Sequence, residues 1–166
     1  MGRVGGEEVE ISLEEVRDKN LMQLKKLNTG VFPVASPDKY YDYALSSGEF
    51  SKLAYYRDIC VGAIVSRQDK KEDGSICVYI LSVGVLPPYR GLGIAAKLLN
   101  HVLDLCLKQH IPEIFLHVQT NNEGAIKLYK KFGFEITESF TNYSANVDPP
   151  HFFALTKFIA PSQAKK

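Results

Sequence analysis

The chain has 166 residues, 45% of them hydrophobic and 23% charged, with a formal net charge of +1. That length suits one domain burying roughly 70% of the surface its unfolded form exposes, and the near-neutral charge argues against direct nucleic-acid binding, since phosphate-binding proteins carry a basic excess. No apolar run reaches the ~20 residues a membrane-spanning helix needs, and the N-terminus Met1-Gly-Arg-Val-Gly-Gly-Glu-Glu lacks the apolar stretch of a secretory signal. The expectation is a cytoplasmic protein, with the nucleus left open as a second location.

Residues 1–8 and 161–166 are small, charged or polar and have nothing to bury, so they read as flexible tails around a domain spanning 9–160. A short strand from Val9 to Leu13 leads into a helix with apolar positions Val16, Leu21, Leu24 and Leu27, ending near Gly30. Phe32-Pro33-Val34 is a non-helical loop, and Pro37-Asp38 opens a second helix that Ser46-Ser47-Gly48 stops. Three strands follow, Lys52 to Tyr56, Ile59 to Ser66 and Ile76 to Val85, the last two joined by a turn at Asp69–Gly74.

From Gly91 to His110 the residues Ala95, Leu98, Leu99, Val102, Leu105 and Cys106 mark one helix face, and Pro112 blocks continuation. A strand from Glu113 to Gln119 completes a crossover unit expected to be right-handed. Another helix, Glu123 to Phe132, closes at Gly133, and Phe134–Phe140 and Phe152–Phe158 supply the last strands. The result is an α+β (α/β) domain with a mixed sheet of about seven strands flanked by about four helices.

Cys60, Cys77 and Cys106 are odd in number, lack a CxxC spacing and sit in apolar stretches, which indicates neither a disulfide framework nor a metal site. The chemistry concentrates instead at Val85-Leu-Pro-Pro-Tyr-Arg-Gly-Leu-Gly-Ile-Ala-Ala, where a strand ends and a helix begins amid small residues. Such a helix start presents unpaired amides and a positive dipole end to an anion, Gly91 and Gly93 let it approach the backbone, and Arg90 adds a full charge. The same residues match the dinucleotide fingerprint as Gly91-x-Gly93-x-x-Ala96, but Val118-Gln119-Thr120 stand where that site needs an acidic residue.

Arg90-Gly-Leu-Gly93-Ile-Ala95 also fits the signature Arg/Gln-x-x-Gly-x-Gly/Ala, and Asn122-Glu-Gly-Ala125-Ile-Lys-Leu-Tyr129-Lys-Lys-Phe-Gly133-Phe134 follows it in the order of a second, helical motif. On these residues the chain resembles the GNAT-superfamily N-acetyltransferases. Phe32-Pro33-Val34, Tyr79-Ile80, Pro88-Tyr89-Arg90, Leu99-Asn100-His101-Val102 and Leu116-His117-Val118-Gln119 narrow the resemblance. They point to N-α-acetyltransferases of the kind that forms the catalytic subunit of N-terminal acetyltransferase E, in a plant-like form, over nearly all of residues 9–158.

That resemblance implies the GNAT fold, acetyl-CoA as co-substrate, no metal, and transfer of the acetyl group to protein or peptide N-termini, with Met followed by a hydrophobic residue preferred. It implies direct transfer with water-mediated base catalysis by Tyr79 and His117, which strand alternation and the crossover can bring to one cleft. Coenzyme binding falls to Val83, whose amide meets the acetyl carbonyl, to Val85, Arg90, Gly91, Leu92, Gly93, Ile94 and Ala95, and to Asn122 and Tyr129, the latter beside the coenzyme sulfur. Phe32, Pro33, Val34 and Tyr143 are the implied acceptor-binding residues. Tyr143-Ser144 departs from the family's paired tyrosines, and Val147 takes an isoleucine-like position.

Association with the N-terminal acetyltransferase A complex and the ribosome is a further implication. Two alternatives stand beside the main reading: a weakly active or inactive CoA-binding subunit docked on that complex, and a lysine or small-amine acetyltransferase, since the fold serves several acceptors. A peptide α-amine, with its pKa near ~8, asks only weak base assistance. Cys77, two residues from Tyr79, offers an acyl-cysteine route only if its thiol is activated, and His101, His110 and His151 read as solvated.

Overall fold

The computed structural model describes residues 3–4, 7–8 and 10–159, with side chains from Glu10 onward. The 161–166 tail lies outside the described residues. Of the N-terminal tail, only β1 (Arg3–Val4) and β2 (Glu7–Glu8) are described, as an antiparallel pair. Among the described residues the main sheet has seven strands in the order β3-β4-β5-β6-β7-β9-β8, with four α-helices, as the sequence predicts. Its strands are β3 (Ile11–Glu15), β4 (Lys52–Tyr56), β5 (Ile59–Lys70), β6 (Ile76–Val85), β7 (Glu113–Gln119), β8 (Glu135–Phe140) and β9 (Phe152–Phe158). The chain divides into two compact units. One runs to Arg67 and takes in Leu81–Leu105; the other holds Gln68–Ile80 and the chain from Cys106 onward.

In the first unit β3 pairs antiparallel with β4, Ile11 opposite Tyr56 and Glu15 opposite Lys52, so the strand reaches Glu15 rather than Leu13 because β4 offers five partners. Helix α1 (Leu21–Val31) starts later than the apolar spacing suggests. Arg17 N–H donates to Asn20 Oδ1 at 2.8 Å and Asn20 Nδ2–H to Glu15 O at 3.0 Å, holding a 3-10 turn ahead of the helix. Val16 is buried from the extended chain, beside Leu24 and Leu27 from α1, Tyr40 and Ala44 from α2 (Asp38–Ser46), and Leu53, Tyr55, Ala63 and Val65 from the sheet. Each large apolar side chain buried there contributes about 1.5–3 kcal/mol.

Two close approaches in this unit require glycine. A Cβ on Gly62 would lie 3.0 Å from Gly84 O, and one on Gly84 would lie 3.0 Å from Val31 Cγ1 and 3.1 Å from Phe32 Cζ. Gly84 therefore lets the end of α1 and the Phe32 loop lie directly on β6.

In the second unit β7 runs parallel to β6, Tyr79 opposite Phe115, and antiparallel to β9, His117 opposite Ala154. Alternation along β7 buries Ile114, Leu116 and Val118 and leaves Phe115, His117 and Gln119 half-buried on the other face. Helix α3 (Ile94–Lys108), which belongs to the first unit as far as Leu105, buries Ile94, Leu98, Leu99, Val102 and Cys106, and its chain exits through His110, at φ 57°. Helix α4 (Glu123–Lys131) opens with Ala125 N–H donating to Asn122 Oδ1 at 3.3 Å. It closes as predicted at Gly133, φ 95°, with Gly133 N–H on Lys130 O and Phe134 N–H on Tyr129 O, each at 3.0 Å. Among the described residues no helix is long and apolar enough to cross a membrane.

Candidate active site

In the first unit the end of β6 passes through a 3-10 turn, Pro87–Tyr89, into the start of α3. Gly91 at φ 80° and Gly93 at φ 82° hold backbone conformations that side-chain-bearing residues adopt only under strain, and no atom lies within 4 Å of where their Cβ would be. Lys97 N–H closes the first helical bond on Gly93 O at 3.0 Å. The amides of Ile94 and Ala95 thus belong to the helix start that cannot bond within the helix. Arg90 is exposed, and its Nε–H donates to Val85 O at 2.8 Å, which anchors the guanidinium to the strand end and leaves its other donors for an anion. The open space at both glycines, the amides and the guanidinium together fit the pyrophosphate of a coenzyme. Val83 is half-buried and Val85 buried on β6, while Leu92 is half-buried in the turn.

Phe32, Pro33 and Val34 line an open pocket of about 450 Å³ between α1 and α2. Its lining is less apolar than the loop itself, because Lys25, Asn28, Thr29, Asp38 and Tyr41 complete it. Asn28 is buried and its Nδ2 donates to the hydroxyls of Tyr40 and Tyr41, each at 3.2 Å, while Tyr40 Oη is 2.7 Å from Ser82 Oγ on β6. Both helices flanking the loop are thus tied by side chains. Burial raises the Tyr40 phenol pKa and keeps it protonated.

The second unit holds an aromatic cluster around His117. Tyr79 Oη lies 3.2 Å from His117 Nδ1, and Tyr143 Oη lies 3.0 Å from the same nitrogen. Tyr79 stacks on Phe115 with centroids 4.8 Å apart, and His117 meets Phe140 edge-on at 5.2 Å. Burial holds the His117 pKa below the ordinary histidine value, with Glu138 pulling the other way. The imidazole is therefore neutral and able to accept a proton at neutral pH.

Asn122 and Tyr129 lie in the same unit, Asn122 exposed as the cap of α4 and Tyr129 buried on its inner face. Tyr129 packs edge-on to Phe134, centroids 5.8 Å apart, and burial pushes its phenol up to about 12. It remains a proton donor across the physiological range.

The other histidines stand outside this cluster. His101 is not simply solvated, since its Nε2 donates to Glu49 O at 2.9 Å, and His151 Nδ1 accepts from Asn142 N–H at 3.2 Å. Burial pushes the Cys60 thiol up to about 11 and the Cys106 thiol up to about 12, which suits core packing rather than nucleophilic attack. Cys77 is also buried. Among the described residues no group of three or more His, Cys, Asp or Glu is positioned to hold a metal ion.

Sequence reasoning brought Tyr79 and His117 together but missed what surrounds them. Phe115, Phe140 and the contact of Tyr143 with the imidazole complete the cluster. The alternation Phe115, His117, Gln119 was the available signal for the first, because it puts an aromatic beside the histidine on one face.

The acetyltransferase (GNAT) family model matches residues 18–134. The chain belongs to that family. It is 47% identical over 150 residues to N-alpha-acetyltransferase 50 of Danio rerio, covering 90% of this chain and 89% of the relative. A probable N-acetyltransferase san of Drosophila melanogaster is likewise 47% identical, over 90% of this chain and 81% of its own. Among solved structures, Arabidopsis thaliana Naa50 in complex with a bisubstrate analogue, CoA-Ac-MVNAL, matches with a TM-score of 0.85 at 62% identity, covering 90% of this chain and 99% of that one. The fold expectation holds, and the chain is an acetyl-CoA-dependent N-α-acetyltransferase.

Proposed function

We propose that the chain acetylates protein N-termini beginning with methionine followed by a hydrophobic residue, by direct transfer, with Tyr79 and His117 as the proton-accepting pair. The observation that carries this reading is the 3.2 Å contact of Tyr79 Oη with a neutral imidazole. An α-amine that attacks a thioester must shed a proton, and its pKa near ~8 lets a weak base suffice. The proton passes through an ordered water to Tyr79, whose own proton moves to His117 Nδ1.

Acetyl-CoA supplies the activated acyl group. The backbone of Arg90–Ala95 with the Arg90 guanidinium holds its pyrophosphate, and Asn122, which caps α4, is a further coenzyme-binding residue. Val83 offers an amide to the acetyl carbonyl as charge develops there, and Val85 seats the strand that carries it. As the amine nitrogen bonds to the carbonyl carbon and the carbon–sulfur bond breaks, the Tyr129 hydroxyl donates a hydrogen bond to the departing thiolate, and the proton taken up at His117 returns to solvent.

Phe32, Pro33 and Val34 take the methionine side chain, and the ring of Tyr143 packs beside the acceptor. The Arabidopsis relative supports this preference, since the peptide part of its bound analogue begins Met-Val. The family resemblance also supports docking on the N-terminal acetyltransferase A complex at the ribosome, to be tested by co-purification.

The experiment is a competition between Met-Leu, Ser-Ala and internal-lysine peptides for acetyl-CoA, with products identified by mass spectrometry. Fastest α-acetylation of the Met-Leu peptide is expected. Dominant lysine acetylation would assign the acceptor differently.

A further inference from the structure

Two phenols meet one ring nitrogen at His117. Tyr143 Oη is the nearer, 3.0 Å from Nδ1 against 3.2 Å for Tyr79 Oη. Tyr143 also stands edge-on to the imidazole, with centroids 5.2 Å apart at 81°, and packs against Phe140 at 5.0 Å and Phe152 at 5.2 Å. Its backbone is held by N–H donation to Pro150 O at 2.7 Å. A tyrosine that served only the acceptor peptide would need none of these contacts with the base.

We propose that Tyr143 is a positioning residue for His117: its hydroxyl donates to Nδ1 and fixes the ring and its Nε2–H tautomer so that the same nitrogen faces Tyr79. This rests on the reading of His117 as the proton acceptor. A phenol O–H is a stronger hydrogen-bond donor than a neutral imidazole N–H, and the imidazole lone pair is a stronger acceptor than the phenol oxygen. The proton of each O···N contact therefore sits on oxygen, and the single lone pair of Nδ1 accepts both hydroxyls in a three-centre contact. Of the groups around the ring, Phe115 and Phe140 supply only packing, Glu138 favours the imidazolium, and the Tyr79 and Tyr143 hydroxyls are the donors that settle the tautomer.

The test is a double-mutant cycle with acetyl-CoA and a Met-Leu peptide. Tyr143→Phe keeps the ring and drops the hydroxyl. In the wild-type background it is expected to lower kcat about 3- to 10-fold, the worth of one hydrogen bond, with the peptide KM within about twofold. In a His117→Gln background the same change is expected to do nothing further to the residual rate. Nitrogen NMR of His117 is expected to find Nδ1 unprotonated in the wild type and some Nδ1–H tautomer in Tyr143→Phe.

A rise in KM without a fall in kcat, or an equal loss of kcat in both backgrounds, overturns the positioning role while leaving His117 as base. Wild-type kcat in His117→Gln alone sinks the base assignment itself, a result distinct from either.

Discussion

In the mechanism we propose, the turn at Arg90–Ala95 and the cluster at His117 serve the reaction with different parts of the chain. At the turn the working groups are backbone amides, and the residues that matter are those whose missing side chains permit the conformation, Gly91 at φ 80° and Gly93 at φ 82°. At His117 the working groups are side-chain atoms, and their arrangement depends on hydroxyls 3.0 and 3.2 Å from one nitrogen. A backbone site tolerates most side-chain changes and fails when its dihedrals are forced. A side-chain site fails when a single atom is removed.

The largest expected effect tests the second half. Tyr79→Phe and His117→Gln should each lower kcat by about 10²- to 10⁴-fold, the usual worth of positioned acid–base groups, while Tm stays near the wild-type value because neither change empties a buried volume. Steady-state kinetics and thermal melts check this together. Next comes the backbone half: Gly93→Val places a β-branched residue at positive φ, which costs about 1–2 kcal/mol. Acetyl-CoA affinity by calorimetry should weaken about tenfold or more, with much of the wild-type kcat recovered at saturation.

Gly84→Ala is expected to act on the acceptor side. Its Cβ would press within 3.0 Å of Val31 Cγ1 and 3.1 Å of Phe32 Cζ, so the peptide KM should rise about 3- to 10-fold, as overpacking costs of about a kilocalorie predict. The KM for acetyl-CoA should stay within about twofold. The smallest effect belongs to Leu92→Ala, which alters a side chain in a site made of backbone and should change either KM by no more than about twofold. A large loss there would break the distinction between the two regions.

What could be read in advance followed the same division. The turn was legible because glycines, prolines and a helix start have fixed local consequences, and α3 and β7 were legible because one strong periodicity fills each. Tyr79 and His117 were reachable through strand alternation and a crossover connection. The contact of Tyr143 with His117 was not, because it spans 26 residues through an irregular loop whose path is set by bonds such as Gln119 Nε2–H to Pro149 O at 3.0 Å. Gly84 was equally silent, since its role is fixed by the residues that lie on it. The pocket beside Phe32 is more polar than the loop implied, because α1 and α2 supply the rest of its lining.

The most direct measurement is time-resolved mass spectrometry of a Met-Leu peptide incubated with saturating acetyl-CoA and either the wild-type chain or His117→Gln, with acetyl-CoA affinity taken by calorimetry on the same samples. The wild-type chain should acetylate the α-amine, and the variant should bind acetyl-CoA with unchanged affinity yet form product at least about a hundredfold more slowly. Equal rates in the two proteins would contradict the account.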